Sequence, residues 1–507
     1  MILYKDIKSC CSINGYLTKE FNIKRGVRQG CPLSMLMYVL FQEPLYQAID
    51  KNSKILPLSI PNQNSREIGY ADDTTIAVQN DEGFLEAFKI ISMFESASNS
   101  KININKTRVY GFGRWNWRVQ WPIRGMKTEF DYFKALGVIF STDYDKALHT
   151  TRKKIYEKIK KGLAAMTGRY MNIFQKALLI NATIASKIWY TSHVYPLPIE
   201  YVKQINKEVF KFIWNSPVDP IKRDVLYNSK DKGGINLLNI HVKSKCIIAN
   251  TALRSFLNSD DNCLSKYYLT AKMNKILGVR NIQPNRVLPP YYEYALDVLK
   301  KCTNINGFPN INSKKIYHVL KLDGISNVEV KYPGYDWLNI WKCINFKWVN
   351  MNDRPIIYKY VHEVIPTNKR LYQIRCRNNP ICDSCDQEDS IKHKFYECIV
   401  VQDCLCWVRR LIVYLCGINT NQESLSQFMS FDIPKVNIKV KNTLIVIISS
   451  YVACIWYNRN RLESIYYILK AKIIRDQKLN RKILGRKMYK IFTDNYCKEN
   501  IEFIDRL

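Results

Sequence analysis

The stretch that decides the fold is Gly69-Tyr70-Ala71-Asp72-Asp73-Thr74. It lies within Ser65 to Gln79, which reads as two short strands around a tight acidic turn, with Ile76 and Val78 on one face at period 2. Two adjacent carboxylates at a turn repel each other, and a divalent cation resolves the conflict. Mg²⁺ commonly takes one or two carboxylates and completes its shell with substrate phosphates. Two such ions can clamp the attacking and leaving oxygens of a phosphoryl transfer. On its own the pair also reads as the solvated tip of a hairpin.

Upstream lies Arg25-Gly26-Val27-Arg28-Gln29-Gly30-Cys31-Pro32-Leu33-Ser34, with Gly for backbone access, Arg for phosphate and Gln for polar contact. An apolar helix, Met35 to Leu45, follows it. Downstream come Asn103-Ile104-Asn105-Lys106-Thr107 and then Leu136-Gly137-Val138. From about 148 to 215 the pattern turns helical. Ile155, Ile159, Leu163 and Met166 form an apolar stripe, crowded by Arg152, Lys153, Lys154, Lys158, Lys160 and Lys161. A solvated face is the plain reading of those cations; the shortage of acids favours a phosphate-facing one. Pro217, Pro220 and Gly233-Gly234 punctuate residues 216–240 as a loop and subdomain edge.

The balance of charge agrees. In 507 residues, 77 Lys and Arg face 44 Asp and Glu, a net charge of +33. With 47% hydrophobic residues the chain fills a core, which excludes a disordered polyelectrolyte, and the excess of cations points to a polyanion. The apolar run Thr443 to Tyr457 is short of the ~20 residues that span a bilayer, so it reads as a buried helix. The N-terminus does not read as a secretion signal, so the 16 cysteines are expected reduced and the protein intracellular, in nucleus or cytoplasm.

The ordered set of segments resembles the reverse transcriptase of non-LTR (LINE-like) retrotransposons. Phe212-Ile213-Trp214 followed by Lys232-Gly233-Gly234-Ile235-Asn236-Leu237 extends the resemblance into that family's thumb. It implies an α+β fold: residues 1–145 a partial fingers and palm, 146–240 a helical thumb, 241–375 a helical connector. It implies RNA-directed DNA polymerisation with RNA template, DNA primer or target, and deoxynucleotides, without a membrane. Asp72 would be the Mg²⁺-binding (or Mn²⁺-binding) palm aspartate, supported by Asp73. Tyr70 and Ala71 would shape the primer-terminus side. Arg25, Gln29 and Gly30 would contact template and nucleotide, Lys106 would protonate the leaving pyrophosphate, and Leu136, Gly137 and Val138 would form the primer grip.

One departure stands out. The family's palm has a further aspartate on a strand before the Arg25 segment, but the acids before Arg25 are Asp6 and Glu20. The expectation is therefore a downstream part of a longer polyprotein that polymerises little by itself. The rival is a non-catalytic nucleic-acid-binding remnant of a truncated or domesticated element.

The second constellation is Cys382-x₂-Cys385-x₇-His393-x₄-Cys398. Three thiolates and an imidazole complete a tetrahedral Zn²⁺ shell with no open position, so the site is structural. Asp383, Asp386, Glu388 and Asp389 read as a polar loop around the cation, and Cys376, Cys404 and Cys406 flank it as alternative ligands. It resembles the zinc-binding segment that follows the polymerase in the same family, and sets a segment at 376–420. In the tail, 421–507, nine cations and one acid (Asp476) between Lys470 and Lys490 read as a basic amphipathic helix suited to nucleic acid.

Overall fold

The computed structural model describes residues 7–23, 26, 31–60, 63–71, 73–115, 125–257, 264–278, 287–417, 429–433, 435–458, 462–478, 484, 488–489, 492 and 502. The chain forms two compact units. The first comprises Met1–Lys154, His193–Pro196 and Ile248–Ile311; the second Ile155–Ser192, Leu197–Ile247 and Asn312–Leu507. Helix predominates, and the strands are two to four residues long. Among the described residues they pair into six two-stranded sheets, five antiparallel and one parallel. The class is mixed, consistent with α+β.

In the first unit β1 (Lys8–Ser9) pairs with β4 (Phe21–Asn22), and β2 (Ser12–Ile13) with β3 (Tyr16–Leu17). Asn14 and Gly15 both take positive φ, +49° and +87°, the pattern of a two-residue type I′ turn. Helix α1 (Pro32–Lys51) starts on proline, whose missing N–H costs nothing in the first turn. After β5 (Leu58–Ile60) and β6 (Gln63–Ser65) come β7 (Glu67–Tyr70) and β8 (Asp73–Ile76). Helix α2 (Asp81–Ser98) is capped by Asn80, whose side chain accepts the Gly83 N–H at 2.7 Å, with Asp81 and Glu82 in its first turn. Leu45, Ile49, Ile55 and Ala87 bury a small core between α1 and α2, and Ile76 and Val78 pack on it as the period-2 pattern required. The outer face of α1 stays exposed at Met35, Leu36, Val39 and Leu40. Further on, β9 (Arg108–Tyr110) pairs with β10 (Lys127–Glu129), and β11 (Phe133–Ala135) with β12 (Val138–Phe140).

Helix α3 (Tyr144–Ala164) opens the helical part. Ile155, Ile159 and Leu163 are buried and Met166 packs beside them, so the predicted stripe is the core face. Arg152 departs from expectation. It is buried, and its guanidinium donates to the carbonyls of Pro196 (3.0 Å) and Tyr195, so it faces backbone and not phosphate. Burial lowers its pKa to about 10.

In the second unit α4 (Ile173–Leu179) runs through a π turn, Ile180–Ile184, into α5 (Ser186–Trp189). These pack with α6 (Ile199–Trp214). Lys176 is buried and caps α6: its Nζ donates to the carbonyl of Phe212 (2.7 Å) and to Asn215 Oδ1 (2.7 Å), where the helix dipole favours a cation. A second core surrounds the helix Ile438–Trp456, whose residues from Asn442 to Ile455 are all buried. This one described helix is long and apolar enough to cross a membrane, but here it is the centre of the core. Trp341 and Trp348 are also core residues. The helix Leu462–Lys478 carries the start of the basic tail. Lys472 turns inward to donate to the buried Ser450 hydroxyl at 2.7 Å, and burial brings its pKa down to about 8.

Candidate active site and metal centre

The acidic hairpin is built by register. Tyr70 pairs with Asp73, Gly69 with Thr74 and Ile68 with Thr75, so the chain reverses just beyond Tyr70, at Ala71. Ala71 adopts φ +52°, a left-handed conformation that an L-residue takes at a cost of about 1 kcal/mol. Because successive side chains alternate, Ile68, Tyr70, Asp73 and Thr75 share one face, and Gly69 and Thr74 the other. The first face is exposed, with Tyr70 67% accessible. The second lies against α1. Tyr46 Oη donates to Gln42 Oε1 (2.9 Å) and shares a hydrogen bond with Thr74 Oγ1 (3.0 Å). A Cβ on Gly69 would fall 2.1 Å from the Tyr46 oxygen, so only glycine lets the ring close over the strand. At the strand's start, burial and the nearby Asp50 carboxylate raise the Glu67 pKa.

Asp72, Arg25, Gln29 and Gly30 lie outside the described residues. Lys106 is exposed, in a turn where its N–H donates to the Asn103 carbonyl (2.9 Å). Strand β9 follows it, and Tyr110 at the end of that strand meets Phe133 of β11 with ring centres 5.0 Å apart. Leu136 (φ +49°) and Gly137 (φ +82°) form a type I′ turn that closes β11 onto β12. Val138 is buried beneath it.

Residues 2–140 match the reverse transcriptase (RNA-dependent DNA polymerase) family model. The reverse-transcriptase-like segment therefore contains both hairpins and ends on the last residue of β12. Over 217 residues the chain is 27% identical to the "Transposon TX1 uncharacterized 149 kDa protein" of Xenopus laevis. That alignment covers 42% of this chain and 16% of the relative. The Cys/His cluster lies beyond the reverse-transcriptase-like segment.

In the second unit the side chains of Cys382, Cys385, His393 and Cys398 converge, with all four ligand atoms within 4.8 Å of one another. Cys398 Sγ is 3.9 Å from Cys382 Sγ and 4.0 Å from Cys385 Sγ, and Cys385 Sγ is 3.2 Å from His393 Nε2. Zn–S bonds of about 2.3 Å at tetrahedral angles put sulfurs about 3.8 Å apart, so the spacing fits zinc. Burial pushes the Cys398 thiol up to about 11, and a bound cation is what would hold it as thiolate. Cys376, Cys404 and Cys406 stand outside the cluster.

The loop is braced in a way the sequence did not reveal. Asp389 is buried and accepts the Asn368 N–H (2.7 Å), while Asn368 Nδ2 donates to the Ile381 carbonyl (2.7 Å). Arg377 joins Asn368 Oδ1 (2.7 Å) to the Asp383 carboxylate. Asp389 is thus an internal brace and not part of a polar surface around the ion.

A further cluster escaped sequence reasoning. Tyr358 Oη donates to the Gly233 carbonyl (2.8 Å), and His362 Nε2 lies 3.3 Å from the same oxygen. His362 Nδ1 is 2.9 Å from Ser326 Oγ, so an Nε2–H tautomer satisfies both ends. Trp341 packs on Gly233, where a Cβ would come within 2.7 Å, and φ there is +74°. The paired glycines were the only sequence signal; their partners lie far along the chain.

Proposed function

We propose that this chain carries the polymerising part of an RNA-directed DNA polymerase from a non-LTR, LINE-like retrotransposon. The observation that carries the reading is the exposed Tyr70–Asp73 pair of the hairpin inside the segment that matches reverse transcriptases. That face leaves room for a primer terminus. Asp72 and Asp73 would hold Mg²⁺ or Mn²⁺, which when bound stabilises negative charge on the phosphate undergoing attack. The primer 3′-hydroxyl gives up its proton to solvent as its oxygen bonds to the α-phosphorus of a deoxynucleotide, and the bond from that phosphorus to pyrophosphate breaks. Tyr70 and Ala71 support the primer end, and Leu136 and Gly137 grip its backbone. Arg25, Gln29 and Gly30 position template and nucleotide. Lys106, which is exposed, donates a proton to the pyrophosphate. Cys382, Cys385, His393 and Cys398 hold a structural zinc, which fits a reducing, intracellular setting. The five-part division stated above, with thumb at 146–240, belongs to the same reading.

A second reading is favoured by one detail. The acids before Arg25 are Asp6 and Glu20, and Glu20 pairs with Lys8 at 3.6 Å across the β1–β4 region. On this second reading Glu20, held by Lys8, does not stand in for a palm aspartate, and the 507-residue chain binds nucleic acid but extends primers little. Primer extension on an RNA template, beside salt-titrated binding of the same template–primer, tests both. Steeply salt-dependent binding with negligible incorporation is expected. Robust extension abolished by Asp72→Ala would show the catalytic site to be complete. Absence of template–primer binding would sink both readings.

A further inference from the structure

The corner between α3 and α4 combines cations, an acid-free sequence and an outward aromatic ring. Between Glu157 and Glu200 the chain contains no Asp or Glu. Lys158 and Lys161 are exposed on one side of α3, one turn apart. Lys187, from α5, brings its ammonium onto the same turn: Nζ donates to the Lys158 carbonyl at 3.2 Å. Gly162 makes this possible, since a Cβ there would sit 2.7 Å from that nitrogen. Three cations thus share one turn of helix.

Beyond α3 the chain turns tightly. Thr167 N–H donates to the Ala164 carbonyl and Arg169 N–H to the Met166 carbonyl, both at 3.2 Å. Met166 and Met171 pack into the core on either side. Residues 167 to 170 are therefore held out from two anchors, with Arg169 exposed and Tyr170 95% accessible. An aromatic ring so fully hydrated gives the fold no burial energy, and beside cations it suits a base stacked on its face.

We propose that this corner is a contact for single-stranded nucleic acid, with Lys158, Lys161, Lys187 and Arg169 on consecutive phosphates and Tyr170 stacked on one base. The proposal rests on the nucleic-acid reading above and adds which strand form this surface takes. A duplex hides its base faces, so Tyr170 discriminates in favour of unpaired strands.

The test is anisotropy of a labelled oligouridine of about twenty nucleotides with the full chain, beside a duplex of equal length. Tyr170→Ala should weaken oligouridine binding roughly 5- to 150-fold, the range of one lost stacked base, and leave duplex binding unchanged. Tyr170→Phe should retain affinity, because the ring is kept. Lys161→Ala or Lys187→Ala should each lower the slope of log affinity against log salt by about 0.7. Photocrosslinking of a 5-iodouridine oligonucleotide should label Tyr170. If the chain binds oligouridine and Tyr170→Ala binds it equally well, the corner is overturned while the wider reading stands. If the native chain binds no nucleic acid, both fall.

Discussion

At the scale of single residues, the acidic hairpin depends on a contact that no local pattern predicts. The Asp pair and the strands around it were legible because turn chemistry and period-2 alternation are local. The need for Gly69 was not, since the ring that covers it belongs to α1. Gly69→Ala should destabilise the chain by about 1–3 kcal/mol through overpacking. In a Tyr46→Ala background the same change should be nearly neutral. Urea unfolding of the two single variants and the double variant measures the coupling; additive losses would disprove the close contact. Arg152 and Lys472 show the reverse limit. Both were read as surface cations because their partners, backbone carbonyls and a serine hydroxyl, leave no mark in the neighbouring sequence.

At the scale of elements, the Cys/His cluster was the most legible part, because its four residues fall within a short stretch and their spacing is itself the signal. The brace through Asp389 and Asn368 was hidden, as a buried carboxylate looks like any other acid in a polar loop. We expect one zinc per chain by elemental analysis of the purified protein. Cys398→Ser should lose the metal and lower the melting temperature, and Cys376→Ser should change neither. A Cys398→Ser protein with full zinc would show that another cysteine completes the shell. Asp389→Asn should keep the zinc and still lower stability, by about 1–3 kcal/mol, since the buried oxygen then accepts a weaker bond.

At the scale of the whole molecule, helical periodicity foretold the second unit better than strand alternation foretold the first. Long amphipathic stripes report on many residues at once, whereas strands of two to four residues scarcely establish a period. In the second unit His362 ties the Gly233 turn to the helices around Trp341, and burial lowers its pKa from 6.5 to about 3. The unfolded chain therefore binds a proton that the folded one refuses between those values. Stability linked to His362 is complete above about pH 6.5 and is lost as pH falls toward 3. Urea unfolding at several pH values in this window should show a steeper acid loss for the native protein than for His362→Gln. Parallel curves would mean the imidazole protonates in place. The net charge of +33 adds a general repulsion that salt relieves, so both proteins belong in the same high-salt buffer.

The π turn at Ile180–Ile184 carries one residue more per turn than the helices it joins, and Ala185 N–H reaches back to the Ile180 carbonyl at 2.8 Å. Ile180, Ile184 and Ile188 all face the core across it. Deleting a single residue here would restore a regular helix, because the π turn takes up its extra residue locally and the helix beyond it keeps its face. Ile188 would still face the interior, and Lys187 would stay on the side of Lys158. A gap of one position between this chain and a relative at this point is therefore compatible with one shared packing, and the residues on either side of it remain equivalent.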